Sequence, residues 1–348
     1  MKAARLYGAK DLRVEEVEKP RISQNEILVR VKTAMICASD IRSYNYGDGR
    51  MKLPRILGHE IAGDVVEIGS NVKAYFNLGM RVTLNPNIFC GRCVFCITGR
   101  HELCDERRAL GFDVDGGFAE YLLIPLESVR TGAICEIPEN LSYEEAALVE
   151  PISCCLHAQT LVKVGAGDTV TIIGAGPMGI MHTIVAKALG ASNVIVSEII
   201  ESRLQTAADF GADVAVNPAK DDLISKVLEV TEGRGADVAI VAVGSQSALE
   251  QAFGLVSRGG RVSFFAGLPK GKENVTLNAN LIHYKETLAS GSFASTPYEF
   301  YKTLHLVAAG RLDVKALITH RFGLGNAVQA FETALSGTGL KICITPDF

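Results

Sequence analysis

Thr169-Val170-Thr171-Ile172-Ile173-Gly174-Ala175-Gly176-Pro177-Met178-Gly179 is the stretch that decides the architecture. Its first five residues read as a buried strand, and the chain from Met178 to Leu189 reads as a helix, so a G-x-G-x-x-G turn sits where strand becomes helix. Gly174 permits the tight turn, Gly176 lets the backbone approach a pyrophosphate, and Gly179 lets the helix pack closely on the strand. With Pro177 and Met178, the helix N-terminus offers free N–H groups and the positive end of a dipole to an anion. An acidic residue is then expected to end the second strand about 20 residues on, and Glu198 stands there. Its carboxylate is placed to accept hydrogen bonds from both ribose hydroxyls and to repel a 2′-phosphate, which favours NAD over NADP. Arg203, five residues later, suits either the adenine face or a 2′-phosphate. The bland alternative is a glycine turn that binds nothing, but strand, helix and acid together point to a dinucleotide site.

The alternation continues outward. Val194-Ile195-Val196 predicts a strand, Glu201 to Phe210 a helix, and Val238 to Val241 and Arg261 to Phe265 two further strands. That is the pattern of a doubly wound parallel sheet with covering helices, an α/β domain. Before about Glu150 the texture differs: Glu26 to Lys32 and Gly63 to Ile68 are short β-branched strands bounded by turn residues, as in a barrel or sandwich. After about Ala289 the chain turns helical around Tyr298 to Ala309 and then returns to short strands, so the βαβ block reads as an insertion in a largely β domain. Ser142 with Glu144 and Glu145 reads as a helix N-cap followed by first-turn acids.

Composition narrows the class. Of 348 residues, 48% are hydrophobic and 21% charged, which excludes disordered and fibrous chains, and the length suits two domains. The net charge of −4 argues against nucleic acid or an anionic membrane as partner. The most apolar region, Thr169 to Ser197, is broken by the glycine turn, His182 and Lys187, whereas a span needs about 20 apolar residues. With no secretory pattern at Met1 to Glu16, the expected location is the cytoplasm. Nine cysteines in a reducing compartment then call for an explanation other than disulfides.

Cys90, Cys93, Cys96 and Cys104 form C-x2-C-x2-C-x7-C on a loop that carries Gly91 and Gly99. Thiolates so spaced can close a tetrahedral shell around zinc with no open position, a structural site. Iron on the same sulfurs, redox chemistry of a C-x-x-C pair, and unrelated core cysteines are the alternatives. A catalytic zinc needs fewer protein ligands. Cys37, His59 and Glu150 are candidates, although each alone also reads as a buried cysteine, a core histidine and a surface carboxylate.

Gly58-His59-Glu60 with Gly63, Gly69 and Val72 fills the signature G-H-E-x2-G-x5-G-x2-V. Together with Cys37-x-Ser39-Asp40, the four-cysteine lobe, Asp115 to Tyr121, Glu150-Pro151, the glycine turn and Ile318 to Phe322, it covers nearly the whole chain. In these motifs the sequence resembles the zinc-dependent alcohol dehydrogenases of the medium-chain dehydrogenase/reductase superfamily, in the branch of sorbitol, galactitol-phosphate and threonine dehydrogenases. The resemblance implies a Rossmann domain over 155–289 inserted in a GroES-like β-barrel catalytic domain formed by 1–154 and 290–348. It further implies a structural-zinc lobe near 86–108 and an active site in the cleft. Two zinc ions per chain are implied, the catalytic one held by Cys37 and His59 with Glu60 or Glu150 as ligand or as anchor of a bound water. Ala266-Gly267-Leu268 and Ser292-Phe293-Ala294 are implied to line the nicotinamide half of the cofactor. Homodimers or homotetramers are usual in the family.

The implied reaction is hydride transfer from a secondary alcohol, a polyol, sugar alcohol or its phosphate, to NAD, with Ser39 passing the hydroxyl proton outward. Three departures bear on it. Arg42 stands where members often carry a relay histidine, Ala38 replaces the usual glycine, and Ala294 occupies the position at which sorbitol dehydrogenases place an arginine. An L-threonine 3-dehydrogenase-like activity is the alternative, with Arg42 or Arg321 meeting the substrate carboxylate; a non-catalytic NAD(H)-binding protein is the alternative from another class. Cys154, Cys155 and His157 read as core residues near Glu150, and Cys135 and Cys343 receive no role.

Overall fold

The computed structural model describes residues 1–49 and 51–346. The chain divides into two compact units, one of Met1–Ser153 with Ala294–Phe348 and one of Cys154–Phe293. The last two positions of the expected range 290–348 lie outside the described residues.

In the second unit, Thr169–Ile173 is buried along its whole length because it lies inside a sheet covered on both faces. Among the described residues that sheet has six strands, in the order Val214–Val216, Asn193–Ser197, Thr169–Ile173, Ala236–Val241, Val256–Phe264, Leu288–Gly291. Every pairing is parallel. The chain starts in the middle, works to one edge, returns, and works to the other. The order therefore reverses between Thr169–Ile173 and Ala236–Val241, and the crevice beyond the carboxyl ends of such strands is where α/β sheets take ligands. The expected strand Arg261 to Phe265 begins earlier, at Val256, after a shift in register opposite Ala236 and Val238. Leu288–Gly291, which straddles the expected boundary at 289/290, pairs residue for residue with Arg261 to Phe264.

The helix after the glycine turn runs Pro177–Ala188. Gly174 holds φ at 103°, a conformation costly to any side chain. A Cβ on Gly179 would lie 1.9 Å from the Gly174 carbonyl oxygen, which is backbone and has no room to yield. Gly179→Ala is therefore expected to lift the helix off the sheet and to cost about 3 kcal/mol, the upper end of the usual overpacking range. Thermal unfolding and dinucleotide titration should fall together; a variant with wild-type melting would show that the helix can move freely.

The first unit is built on a mixed sheet in the order Ile134–Glu136, Arg81–Leu84, Glu60–Ile68, Ile27–Met35, Lys341–Thr345, Ile318–Gly323, antiparallel except for the parallel pairing of Lys341–Thr345 with Ile318–Gly323, with Tyr121–Ile124 also paired to Ile27–Met35. Both ends of the chain thus meet in one sheet around a core that includes Val29, Val31, Ile61, Val65, Phe118 and Phe331. The strands expected at Glu26 to Lys32 and Gly63 to Ile68 are longer, because their pairing continues through Ala34↔Ile61 to Met35↔Glu60. That extension delivers Cys37 and His59 to one place. Ser142 caps Tyr143–Ala147 as expected, and the Glu145 side chain reaches back to the Ser142 N–H to complete a capping box.

Candidate functional site

Cys37 ends the extended run after Ile27–Met35 and stands at the N-cap of helix Ala38–Tyr46. His59 directly precedes strand Glu60–Ile68. One possible ligand atom from each of Cys37, His59 and Glu60 lies within 4.8 Å of the others. His59 and Glu60 are buried, while Cys37 is half-buried and leaves an approach from outside.

Asp40, fully buried on the first turn of the helix, organises this trio. Its Oδ2 accepts the Cys37 N–H at 2.9 Å, and its Oδ1 accepts the Gly58 N–H at 3.3 Å. Oδ1 also lies 3.5 Å from His59 Nδ1, so the ring is turned to leave Nε2 for a ligand, with a carboxylate behind it as metal-binding imidazoles have. Burial opposes charge on His59, yet Asp40 and the Cys37 sulfur outweigh it and hold the imidazole well above its ordinary pKa.

Glu60 meets a residue that no sequence pattern pointed to. Lys341 opens the final strand and is only 3% exposed, yet its Nζ lies 2.5 Å from both Glu60 carboxylate oxygens and donates to the Ile36 carbonyl at 3.1 Å. Burial again works against its charge; Glu60, Cys37 and Glu150 prevail and keep the amine above its ordinary value. A half-buried thiol with a buried imidazole and a buried carboxylate is the donor set that zinc takes, so these residues fit the ion the motifs imply. Glu150, buried at the start of helix Val149–Leu161, lies outside the 4.8 Å group. Ser39 is half-buried one residue into the helix that Cys37 begins.

The four-cysteine lobe converges independently. The sulfurs of Cys90, Cys93, Cys96 and Cys104 lie within 4.8 Å of one another, and Cys90 and Cys96 are 4.0 Å apart. A tetrahedral zinc with bonds near 2.3 Å sets sulfurs about 3.8 Å apart, so the cage is close to closed size. Backbone N–H groups of Arg92 and Cys93 point at the Cys90 sulfur, and that of Cys90 at the Cys104 sulfur. The Cys96 backbone N–H pulls Cys93 down to about 6, whereas burial pushes Cys96 up to about 12 and raises Cys104, so Cys93 favours the thiolate before an ion arrives. A buried polar chain leads away from the lobe: Arg107 to Asn87, Asn87 to Asn85, Asn85 to Ser295, and Ser295 to Ser153, whose hydroxyl donates to the Glu150 carbonyl.

In the second unit, Glu198 follows strand Asn193–Ser197 and turns its carboxylate to the glycine turn, accepting the Ala175 N–H at 3.0 Å and, through its other oxygen, the N–H groups of Ile199 and Ile200. Arg203 lies 3.9 Å from it. A Cβ built on Gly176 would meet nothing within 4 Å, so the turn opens onto space at the helix N-terminus, as a pyrophosphate cradle must. Ala266 continues from Val256–Phe264, its N–H bound to the Val241 carbonyl, with Gly267 and Leu268 following. Ser292 and Phe293 follow strand Leu288–Gly291, Phe293 being 54% exposed.

Other candidates take structural places. Arg321 is held by both oxygens of Glu144 at 2.7–2.8 Å. His157 and Cys155 are buried in the helix, outside both clusters. Burial pushes Cys135 and Cys343 up to about 11, so both remain neutral thiols. All nine cysteines are free of disulfides.

Residues 23–133 match the alcohol dehydrogenase GroES-like domain, and residues 177–309 match the zinc-binding dehydrogenase domain. The chain is 36% identical over 355 residues to sorbitol dehydrogenase of Bacillus subtilis, covering 100% of this chain and 98% of that protein. It is 36% identical over 349 residues to L-threonine 3-dehydrogenase of Pyrococcus furiosus, covering 98% and 96%. A crystal structure from Sinorhizobium meliloti, assigned as a zinc-binding dehydrogenase and bound to NADP, superposes with a TM-score of 0.91 at 34% identity over 99% of each chain. With both domain types in place and similarity running the whole length, the chain belongs to the zinc-dependent alcohol dehydrogenases of the medium-chain dehydrogenase/reductase superfamily, oxidoreductases acting on CH–OH groups.

Proposed function

We propose that this enzyme oxidises a secondary alcohol of a polyol, sugar alcohol or sugar-alcohol phosphate to the ketone and passes the hydride to NAD. It would use two zinc ions per chain, a catalytic one at Cys37, His59 and a carboxylate and a structural one at the four cysteines. The observation that carries the reading is the trio itself: three donor groups of zinc-binding type lie within 4.8 Å of one another, two of them buried and Cys37 half-buried, with Asp40 behind the imidazole. When bound, the ion supplies Lewis acidity to the alcohol oxygen and the nicotinamide accepts the hydride. Asp40 holds the His59 ring and the Cys37 backbone so that the donors do not have to reorganise. Ser39, half-buried beside Cys37, takes the hydroxyl proton and hands it toward solvent, since Arg42 replaces the outer histidine of many relatives.

A polyol is favoured over a 2-amino-3-hydroxy acid because the latter needs a cation for its carboxylate. Arg321, one of the two arginines available for that role, is engaged bidentately by Glu144. Sorbitol itself is less favoured than a different polyol, because Ala294 stands where an arginine contact is expected.

Preference for NAD rests on Glu198. Glu198→Ala removes an acceptor for the ribose hydroxyls, a charged hydrogen bond contributing about 1.5–3 kcal/mol, or roughly 10- to 100-fold in affinity. The expected result is that NAD weakens by that factor while NADP weakens less or improves, read by fluorescence titration. Equal losses for both cofactors would remove Glu198 from ribose recognition.

A homodimer or homotetramer is supported by strand Leu288–Gly291, which lies at an edge of the parallel sheet with Leu288 66% exposed. A cytoplasmic location is supported by nine cysteines outside disulfides; among the described residues no helix is long and apolar enough to cross a membrane. The deciding experiment is a screen of NAD reduction with C3 to C6 polyols, their phosphates, threonine and simple secondary alcohols, with chelated protein as control. Turnover of none of them by the zinc-loaded protein would favour a non-catalytic NAD(H)-binding role.

A further inference from the structure

Lys341 is costly to keep. Taking an ammonium group out of water carries a penalty of several kcal/mol even after relaxation, and an apolar residue would fill the same volume without it. Its surroundings show what it does there. The ammonium touches the two residues that flank the proposed ion, donating to the carbonyl of Ile36, which precedes Cys37, and lying 2.5 Å from both oxygens of Glu60, which follows His59. Glu60 is therefore offered to two cations at once, since one of its oxygens also belongs to the group within 4.8 Å that includes Cys37 and His59.

Charge decides the consequence. A thiolate and a carboxylate facing a divalent ion cancel its charge, so that it polarises a fourth group weakly. With the ammonium on the carboxylate, the same residues carry one net negative charge and the ion keeps one positive charge for an incoming oxygen.

We infer that Lys341 is a positioning residue that shares the Glu60 carboxylate with the catalytic ion, so that Glu60 stays a donor but neutralises less of the ion's charge and leaves it Lewis acidic. The inference rests on the assignment of Cys37, His59 and Glu60 as an ion site. No contact with substrate is ascribed to Lys341; it acts through Glu60.

Two variants and a metal readout test it. In Lys341→Met the length is kept and the charge removed, leaving Glu60 buried with the ion as its only cation. The expected result is slower loss of zinc to a chelator, by roughly 10- to 100-fold, the scale on which groups behind metal ligands alter affinity. Turnover number should fall by a similar factor with a smaller change in KM. In the cobalt-substituted protein the visible bands should shift as Glu60, freed from the ammonium, donates more strongly to the ion. The double variant Lys341→Met with Glu60→Gln removes both charges and should return zinc release and the cobalt bands toward wild type, which a merely structural role would not do. Lys341→Arg keeps the charge and should resemble wild type in the cobalt spectrum. If Lys341→Met releases zinc at the wild-type rate or faster with unchanged bands, Lys341 only stabilises the fold and the inference fails. If wild type itself shows no cobalt bands attributable to Cys37, the ion-site assignment fails first and takes this inference with it.

Discussion

His59→Ala is expected to lower kcat/KM for alcohol oxidation by about a thousandfold or more and to remove one of two bound zinc ions. A metal acting as Lewis acid on the reacting oxygen contributes several kcal/mol, and each 1.36 kcal/mol is about tenfold in rate. The imidazole is the only nitrogen donor of its group, and no neighbour replaces it: Phe112, whose ring centre lies 5.3 Å from it, is apolar, and Asp40 is committed to the backbone of Cys37 and Gly58. Damage to the fold should be local, because the dinucleotide residues belong to a separate compact unit. NADH binding should therefore survive while turnover is lost. Metal analysis by atomic emission and a steady-state assay read the two halves of the prediction. Retention of both metals and of more than a tenth of wild-type kcat/KM would mean that the trio is not the catalytic site.

The second large effect belongs to the four-cysteine lobe. Its buried cluster consists of Phe89, Cys96 and Cys104, with Cys90 and Cys93 packed against it, so most of the lobe's core is the cysteines proposed as zinc ligands. Such a segment has too little apolar area to offset the entropy of ordering it. Ion binding is then the folding free energy of the lobe, which reaches about 10 kcal/mol or more for small structural zinc sites. Cys104→Ser is expected to release the second zinc, expose residues 89–108 to protease and lower the melting temperature by more than 10 °C, since about 1 kcal/mol shifts a domain of this size by roughly 2–4 °C. The polar chain through Arg107, Asn87, Asn85 and Ser295 makes some loss of turnover a further consequence, because it ends on the carbonyl of Glu150. Limited proteolysis followed by mass spectrometry locates the cut. A lobe that stays resistant without metal would show that packing, not ligation, holds it.

Sequence and structure divide the work along one line, the distance over which a pattern acts. The glycine turn was legible because all its parts lie in one strand, one turn and one helix: Gly179 has no room for a side chain against Gly174, and Glu198 returns to the Ala175 N–H from the next strand. The four cysteines were legible because a loop of that length brings its own sulfurs together. Cys37, His59 and Glu60 were named from motifs, yet their meeting depends on the pairing of Met35 with Glu60 in neighbouring strands, which no spacing specifies. Glu145 was read as first-turn charge and proves also to be half of a capping box, a detail of side-chain direction.

The residue types proposed to bind an ion and a dinucleotide, and the βαβ alternation within a β domain, follow from the amino-acid order alone, because local periodicity and ligand spacing act through neighbours in the chain. Lys341 could be found only in three dimensions. It lies 281 positions from Glu60 and reads along the chain as an ordinary charge at the start of an apolar strand. Only the antiparallel pairing of that strand with Ile27–Met35 buries it against the carboxylate, since sheet register is a long-range property that local sequence does not encode.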